Sequence, residues 1–374
     1  NLDPTAGIIE TLSLTDGLVS QQLALKKYHR SLLESGEYWR QSMTRFNAQN
    51  RVDATLISNL RIMRRTLINQ ISKRCDKSKE IITGVVHALL SRSIFIKYLE
   101  ERKDSNGETV FPQDFYCNFM ESAKRYTDVL NSKEATYNLF RILKDKFNGD
   151  TLQVSEIETE IITQDDLDEL RTFILGNSEL ESRQLTLWPL YSFDIIPIQL
   201  ISSIYELFFH LSDEEDEKGT YYTPLHLVNL VMDEVYPWEG KYKDISFFDP
   251  SCGSGIFLVE AYRRLVCRWM SQNAVQAITC DQLNLLLKNS IFGVDINEEA
   301  IRVASFSLSL AMCDFLDPRS IWDKLSFPPL LGKNLISSDF FDEDKSFNKE
   351  RYDVIVGNPP WQSNITEKTK EYLK

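Results

Sequence analysis

Apolar positions recur at near-helical spacing through the first part of the chain. Between Glu80 and Glu101, Ile81, Val85, Ala88, Leu89, Ile94, Phe95 and Leu99 fall on this pattern, which predicts a helix. Asn106-Gly107 and Phe111-Pro112 mark a loop. Further helices are predicted over about 131–147, 164–175 and 197–211, so residues 1–212 read as an α-helical N-terminal domain. The run Asp213-Glu214-Glu215-Asp216-Glu217 breaks the composition. Its mutual repulsion suits a solvated linker over 213–219. Beyond it the pattern alternates between short apolar runs and amphipathic stretches. Helices are predicted over 225–235, 255–270, 282–288 and 300–312, and strands over 245–248, 291–296, 335–338 and 352–356. In the helix over 255–270, Leu258, Ala261, Tyr262 and Leu265 share the inner face, and Pro224 suits the first turn of the helix over 225–235. This order builds an α/β fold, a parallel sheet with helices on both faces.

Composition narrows the picture. No apolar run approaches the roughly 20 residues of a membrane helix, and no secretory leader is visible, so a membrane partner is not expected. The six cysteines form no CxxC pair and the four histidines are scattered. Neither a disulfide framework nor a metal site is expected, and reduced thiols suit a cytoplasmic protein. The net charge of −13 argues against coating nucleic acid by bulk electrostatics, but leaves room for a local basic face. Arg61, Arg64, Arg65, Lys73, Arg74, Lys77 and Lys79 face only Asp76 in their segment. They read either as a solvated helix face or as a contact for DNA phosphates. Glu101-Arg102-Lys103 reads as a charged helix end.

Candidate chemistry gathers in the second part. Asp249-Pro250-Ser251-Cys252-Gly253-Ser254-Gly255 follows a predicted strand and opens a helix. Gly253 and Gly255 let backbone approach a ligand without a Cβ in the way. The loop lacks the GxGxxG spacing of a pyrophosphate site. Asp249 at the strand end suits a cationic ligand such as a sulfonium amino acid, which points to S-adenosylmethionine. Asp295 ends the second strand, where a carboxylate can accept both ribose hydroxyls, each charge-assisted bond worth roughly 1.5–3 kcal/mol. Ile296 would lie against the adenine face. Asp339, with Phe340 after the third strand, can accept from the cofactor's adenine amine. Singly, each acid could be a helix cap or loop residue. Three at consecutive strand ends suit a ligand laid across the sheet's carboxyl edge.

The fourth strand leads into Asn358-Pro359-Pro360-Trp361. Such a tetrapeptide suits gripping a planar exocyclic amine. The Asn358 side-chain oxygen and the Pro359 carbonyl can each accept one amine hydrogen and aim the lone pair at a methyl group. Pro359 and Pro360 stiffen the loop. Trp361 offers a stacking face worth roughly 1–3 kcal/mol to a base. A base in a duplex must first be flipped out, at a cost of a few kcal/mol.

In this order the motifs resemble those of the gamma-arrangement amino-methyltransferases that methylate adenine N6 in DNA. The nearest likeness is to large bacterial restriction-modification enzymes: type IIG fusions, type I modification subunits and methylase-like phage-defence proteins. Asp249–Phe257 is similar to the family's Asp-Pro-Ala-Cys-Gly-Ser-Gly-x-Phe loop, with Ser251 where alanine is usual. Asn358–Trp361 is similar to its Asn-Pro-Pro-Tyr/Phe element. Tyr221-Tyr222-Thr223-Pro224 resembles its first cofactor motif. Phe147–Asp150 and Tyr191–Pro197 resemble the helical domain of these enzymes.

The resemblance implies a class I S-adenosylmethionine-dependent methyltransferase fold, Rossmann-like, with residues 220–374 as the N-terminal half of the catalytic domain. It implies that Tyr221, Tyr222, Thr223, Asp249, Ser251, Gly253, Gly255, Asp295, Ile296, Asp339 and Phe340 hold the cofactor. The implied substrate is double-stranded DNA with a flipped adenine. The family's sheet has seven strands, and four are predicted here. The expectation is therefore that the natural protein continues beyond Lys374, where further strands and a target-recognition domain, or a separate specificity subunit, would complete it. A nuclease domain or subunit could accompany it. Other readings remain open: methylation of a protein glutamine, methylation of an RNA adenine, or a non-catalytic cofactor-binding or assembly role.

Overall fold

The structure, a computed structural model, describes residues 52–104, 106–149, 152–176, 223–275, 277–342, 347 and 351–359. The acidic stretch 213–219, the helix expected over 197–211, and Tyr191–Pro197 lie outside the described residues.

The first part is a helical layer. Helix α1 (Val52–Arg74) places Leu56, Leu60, Met63, Leu67 and Ile71 inward, a stripe at three- and four-residue spacing. It packs on α2 (Lys79–Glu101), which starts at Ser78, whose hydroxyl accepts the Ile81 N–H. By length and composition α2 could cross a membrane. No long apolar run marks it in the sequence, because His87, Ser91, Arg92, Ser93 and Lys97 interrupt its apolar residues. In the fold most of α2 is buried, and its buried Arg92 has an acid partner inside the protein. Among the described residues four further α-helices join the layer: α3 (Tyr126–Val129), α4 (Lys133–Phe147), α5 (Glu156–Ile161) and α6 (Gln164–Leu175). The span of α6 matches the periodicity. Its start is set by Thr163 and Asp166, which cap each other's backbone. Helices α3 and α5 are too short for a 3.6-residue period to register, whereas α1 falls within the stretch expected to be helical.

The second part opens with α7 (Leu225–Val235), for which Pro224 is the N-cap rather than the first helical residue. Then come β1 (Phe247–Asp249), α8 (Ile256–Gln272), α9 (Cys280–Ser290), β2 (Ile291–Asp295), α10 (Glu298–Cys313), α11 (Pro318–Lys324), β3 (Leu335–Ser337) and β4 (Val354–Ile355). The four strands are parallel in the order β3-β2-β1-β4. Leu258, Ala261, Tyr262 and Leu265 of α8 are fully buried, as their spacing predicts. Strand β4 is shorter than expected because Asp353 turns aside: its carboxylate accepts the Ser246 N–H at 2.8 Å and the Ser246 hydroxyl at 2.9 Å. The same contact makes β1 begin at Phe247 rather than at residue 245. Helix α11 went unseen in the pattern, although Asp317 caps it and Pro318 opens it.

Among the described residues one apolar core runs through both parts. Phe95 of α2 meets Phe306 of α10 edge-on at 6.0 Å and Phe327 at 5.9 Å. The Phe327 N–H donates to the Phe147 carbonyl at 2.7 Å. Arg102, the C-cap of α2, reaches the Leu316 carbonyl at 3.2 Å. The helical layer thus braces the helices that follow β2.

Candidate functional site

The chain passes from β1 to β2 to β3 on one side, then returns to β4 on the other side of β1. This reversal opens a crevice at the carboxyl ends of β1 and β4, where open α/β sheets bind ligands. Asp339, Asp295, Asp249 and Asn358 follow or end β3, β2, β1 and β4. They therefore stand in a row along one edge. Three strand spacings of roughly 4.8 Å give a row about 14 Å long.

Asp249 is 1% exposed. Its Oδ1 accepts the Ser251 N–H at 3.0 Å, and no cation among the described residues pairs with it. Burial pushes its carboxyl up to about 8. The Ser251 bond opposes that rise and neighbouring Asp295 adds to it. A buried carboxylate without a counter-charge suits a cationic ligand, because an opposite charge within a few ångströms would restore the ionised form. Gly357, just beyond β4, lies directly against this carboxyl. A Cβ on Gly357 would sit 2.5 Å from Asp249 Oδ1, so only glycine lets the two strand ends close up.

Asp295 accepts the Gly253 N–H on Oδ2 at 2.9 Å and the Asn297 N–H on Oδ1 at 2.8 Å. Burial raises its carboxyl, against the pull of those two donors. A carboxylate has about four lone-pair sites, so each oxygen keeps capacity for a ribose hydroxyl. Gly253 has φ +52 and nothing within 4 Å of a Cβ placed on it. It combines a left-handed backbone with open space on the ligand side. Gly255 differs. Its Cβ would meet the Ala304 Cβ at 3.0 Å, so it serves the close packing of α8 on α10. Ser251 Oγ is buried without a hydrogen-bond partner, a polar atom that a ligand could satisfy. Ile296 is 66% exposed beside Asp295 and offers an apolar face to a flat ring. Asp339 Oδ1 accepts the Phe341 N–H at 3.0 Å. Phe340 packs near Phe248 and stacks on Phe347.

Asn358 Nδ2 donates to Thr223 Oγ1 at 3.0 Å. The segment before α7 therefore fixes which way the Asn358 amide faces, and Oδ1 becomes its acceptor end. The sequence placed Thr223 and Asn358 in separate motifs and gave no sign of this bond. Gly357 and Asn297 were also missed. Asn297 caps α10 by accepting the Glu299 N–H at 3.0 Å, and Asn followed by two glutamates is a recognisable N-cap signal. Tyr221, Tyr222, Pro360 and Trp361 lie outside the described residues.

Residues 197–373 match the family described as N-6 DNA Methylase. This part of the chain is therefore similar to an N-6 DNA methylase domain. The chain is 24% identical over 220 residues to the Escherichia coli type II restriction enzyme and methyltransferase RM.Eco57I, covering 46% of this chain and 22% of that protein. It is 32% identical over 163 residues to the adenine-specific methyltransferase PglX of Streptomyces coelicolor, covering 35% of this chain and 13% of that protein. It is 26% identical over 174 residues to the type II methyltransferase M.VspI of a Vibrio species, covering 46% and 32%. The chain thus spans less than a third of the length of each, and the methylase domain accounts for β1 to β4 and their carboxyl edge.

Proposed function

We propose that the methylase domain binds S-adenosylmethionine along the carboxyl edge of the sheet and methylates adenine N6 in DNA, as part of a restriction-modification or phage-defence enzyme. The observation that carries this reading is the row Asp339, Asp295, Asp249 and Asn358, with an uncompensated buried carboxylate beside the amine-gripping element. S-adenosylmethionine, when bound, supplies a methyl group made electrophilic by a sulfonium. Asp295 holds the ribose, Ile296 faces the adenine ring, and Asp339 and Phe340 close the adenine end. Asp249 and Ser251 satisfy the polar, positively charged end.

The Asn358 Oδ1 and the Pro359 carbonyl accept the two hydrogens of the target N6. This turns the nitrogen lone pair out of the ring's π system. The amine would lose one proton to solvent as its bond to the methyl carbon forms and the methyl–sulfur bond breaks, the electron pair staying on sulfur as a neutral thioether. Orientation and electrostatics carry this scheme. A protein glutamine would offer a similar planar amide, but the match of residues 197–373 to the N-6 DNA Methylase family favours adenine. Trp361 would stack on the flipped base, and a target-recognition domain or subunit would choose the site.

The test is Asn358→Ala in the intact protein. Transfer of labelled methyl to plasmid DNA should fall by at least about 100-fold, on the scale of removing one transition-state hydrogen-bonding group, while S-adenosylmethionine affinity stays within about twofold. Turnover equal to wild type refutes the assigned role.

A further inference from the structure

The stretch 54–75 holds Arg61, Arg64, Arg65, Lys73 and Arg74 and no Asp or Glu, in a chain of net charge −13. Most of it is α1, and the structure divides these cations by task. Arg74 pairs with buried Asp166 and also donates to the Ile161 carbonyl, so it ties α1 to α6. Arg64 donates from Nε to His87 Nε2 at 2.9 Å. His87 Nδ1 lies 3.9 Å from Glu299 Oε2, and Glu299 stands in the first turn of α10, four residues after Asp295. The chain of contacts from Arg64 through His87 to Glu299 therefore fixes the middle of α1 at the carboxyl edge of the sheet, where the candidate site lies.

Arg61 and Arg65 flank Arg64 on the outward side of α1. Both are exposed, and neither has a carboxylate partner among the described residues. The acids nearest along this path are already engaged: Arg302 pairs with Glu298 at 2.7 Å and lies 4.0 Å from Glu299, which His87 also faces. An acidic protein that keeps an acid-free, outward basic face beside its active edge has a surface complementary to a polyanion.

We propose that Arg61 and Arg65 hold the phosphodiester backbone of the DNA whose base enters the site. This rests on the adenine-methyltransferase reading above. Guanidinium groups grip phosphate oxygens through two parallel hydrogen bonds. Such contacts set register on the duplex and carry no sequence information. Each phosphate neutralised releases counterion and steepens the fall of affinity with salt.

The test measures binding of the intact protein to a random-sequence duplex by fluorescence anisotropy, between roughly 50 and 200 mM salt. The variants are Arg61→Gln/Arg65→Gln and, as a charge-preserving control, Arg61→Lys/Arg65→Lys. Losing two contacts should lower the slope of log affinity against log salt by about 1.8. The lysine variant should keep the wild-type slope, and S-adenosylmethionine affinity should be the same in all three proteins. An unchanged slope in the glutamine variant, with wild-type protein still methylating DNA, overturns this assignment and leaves the proposed function standing. A wild-type protein that binds no duplex and methylates none overturns both. A slope lost on vesicles of anionic phospholipid but unchanged on DNA assigns the face to a membrane and overturns the proposal.

Discussion

Two regions of the molecule bury a carboxylate, and they treat it in opposite ways. In the helical layer, Glu158 is 1% exposed and meets Arg92, which is fully buried. Two bonds join them, at 2.7 and 3.2 Å. The guanidinium also donates to the Gln153 carbonyl at 2.5 Å and lies 4.6 Å from the centre of the Phe140 ring. At the sheet edge, Asp249 is just as buried but has one backbone donor and a second acid, Asp295, for a neighbour. A charge satisfied from within is structural. A buried carboxyl left without a counter-ion at the mouth of a crevice suits the cationic ligand proposed for it. Burial is therefore equal in the two places, and the partner alone separates scaffold from site.

The sharpest way to break this contrast is to remove one partner at each place. Arg92→Ala strands Glu158 in the core and should cost about 3–5 kcal/mol of stability, seen as a lower denaturant midpoint. Asp249→Asn strands nothing and should leave the ligand-free protein at least as stable as wild type, while S-adenosylmethionine binding is weakened. Equal destabilisation by the two changes would erase the distinction. A smaller effect is expected from Asp295→Ala. It should weaken S-adenosylmethionine by roughly 1.5–3 kcal/mol per lost ribose bond, read by calorimetry. An unaltered affinity would remove Asp295 from the site.

The most gradual effect, small over any one pH unit, is a dependence on pH. The folded pKa of Asp249 lies above that of an unfolded aspartate, so folding favours its protonated form. The stability this supplies is full below about pH 4 and drains away as pH rises through about 8. Ligand-free wild type should lose on the order of 1 kcal/mol per pH unit in that window relative to Asp249→Asn. Parallel stability curves for the two proteins would show that Asp249 titrates as an ordinary surface acid.

Much of this site was legible in the sequence because it is built from strand ends. Asp249, Asp295 and Asn358 each follow a short apolar run, and a parallel sheet brings such ends to one edge whatever lies between them. The strand order was not legible. Nothing in the local pattern says that β4 pairs with β1 rather than extending from β3, yet that pairing sets Gly357 against Asp249. Contacts between distant side chains stayed hidden for the same reason. The bond from Asn358 to Thr223 and the path from Arg64 through His87 to Glu299 depend on how helices dock, and helix docking leaves no periodicity to read. The shortening of β4 came from Asp353 capturing Ser246, a polar contact that apolar counting overlooks. Gly255 was read as a ligand-facing residue but supports helix packing against Ala304, because a glycine's motif position does not reveal which neighbour needs the space.

The most direct measurement is calorimetric titration of the intact protein with S-adenosylmethionine near pH 6.5, repeated in buffers of different ionisation enthalpy. With the carboxyl of Asp249 at about 8 before binding, the arriving positive charge should expel close to one proton. Asp249→Asn should expel almost none and bind weakly. Tight binding by wild type without proton release would contradict the claim that Asp249 waits, neutral and buried, for a cationic ligand.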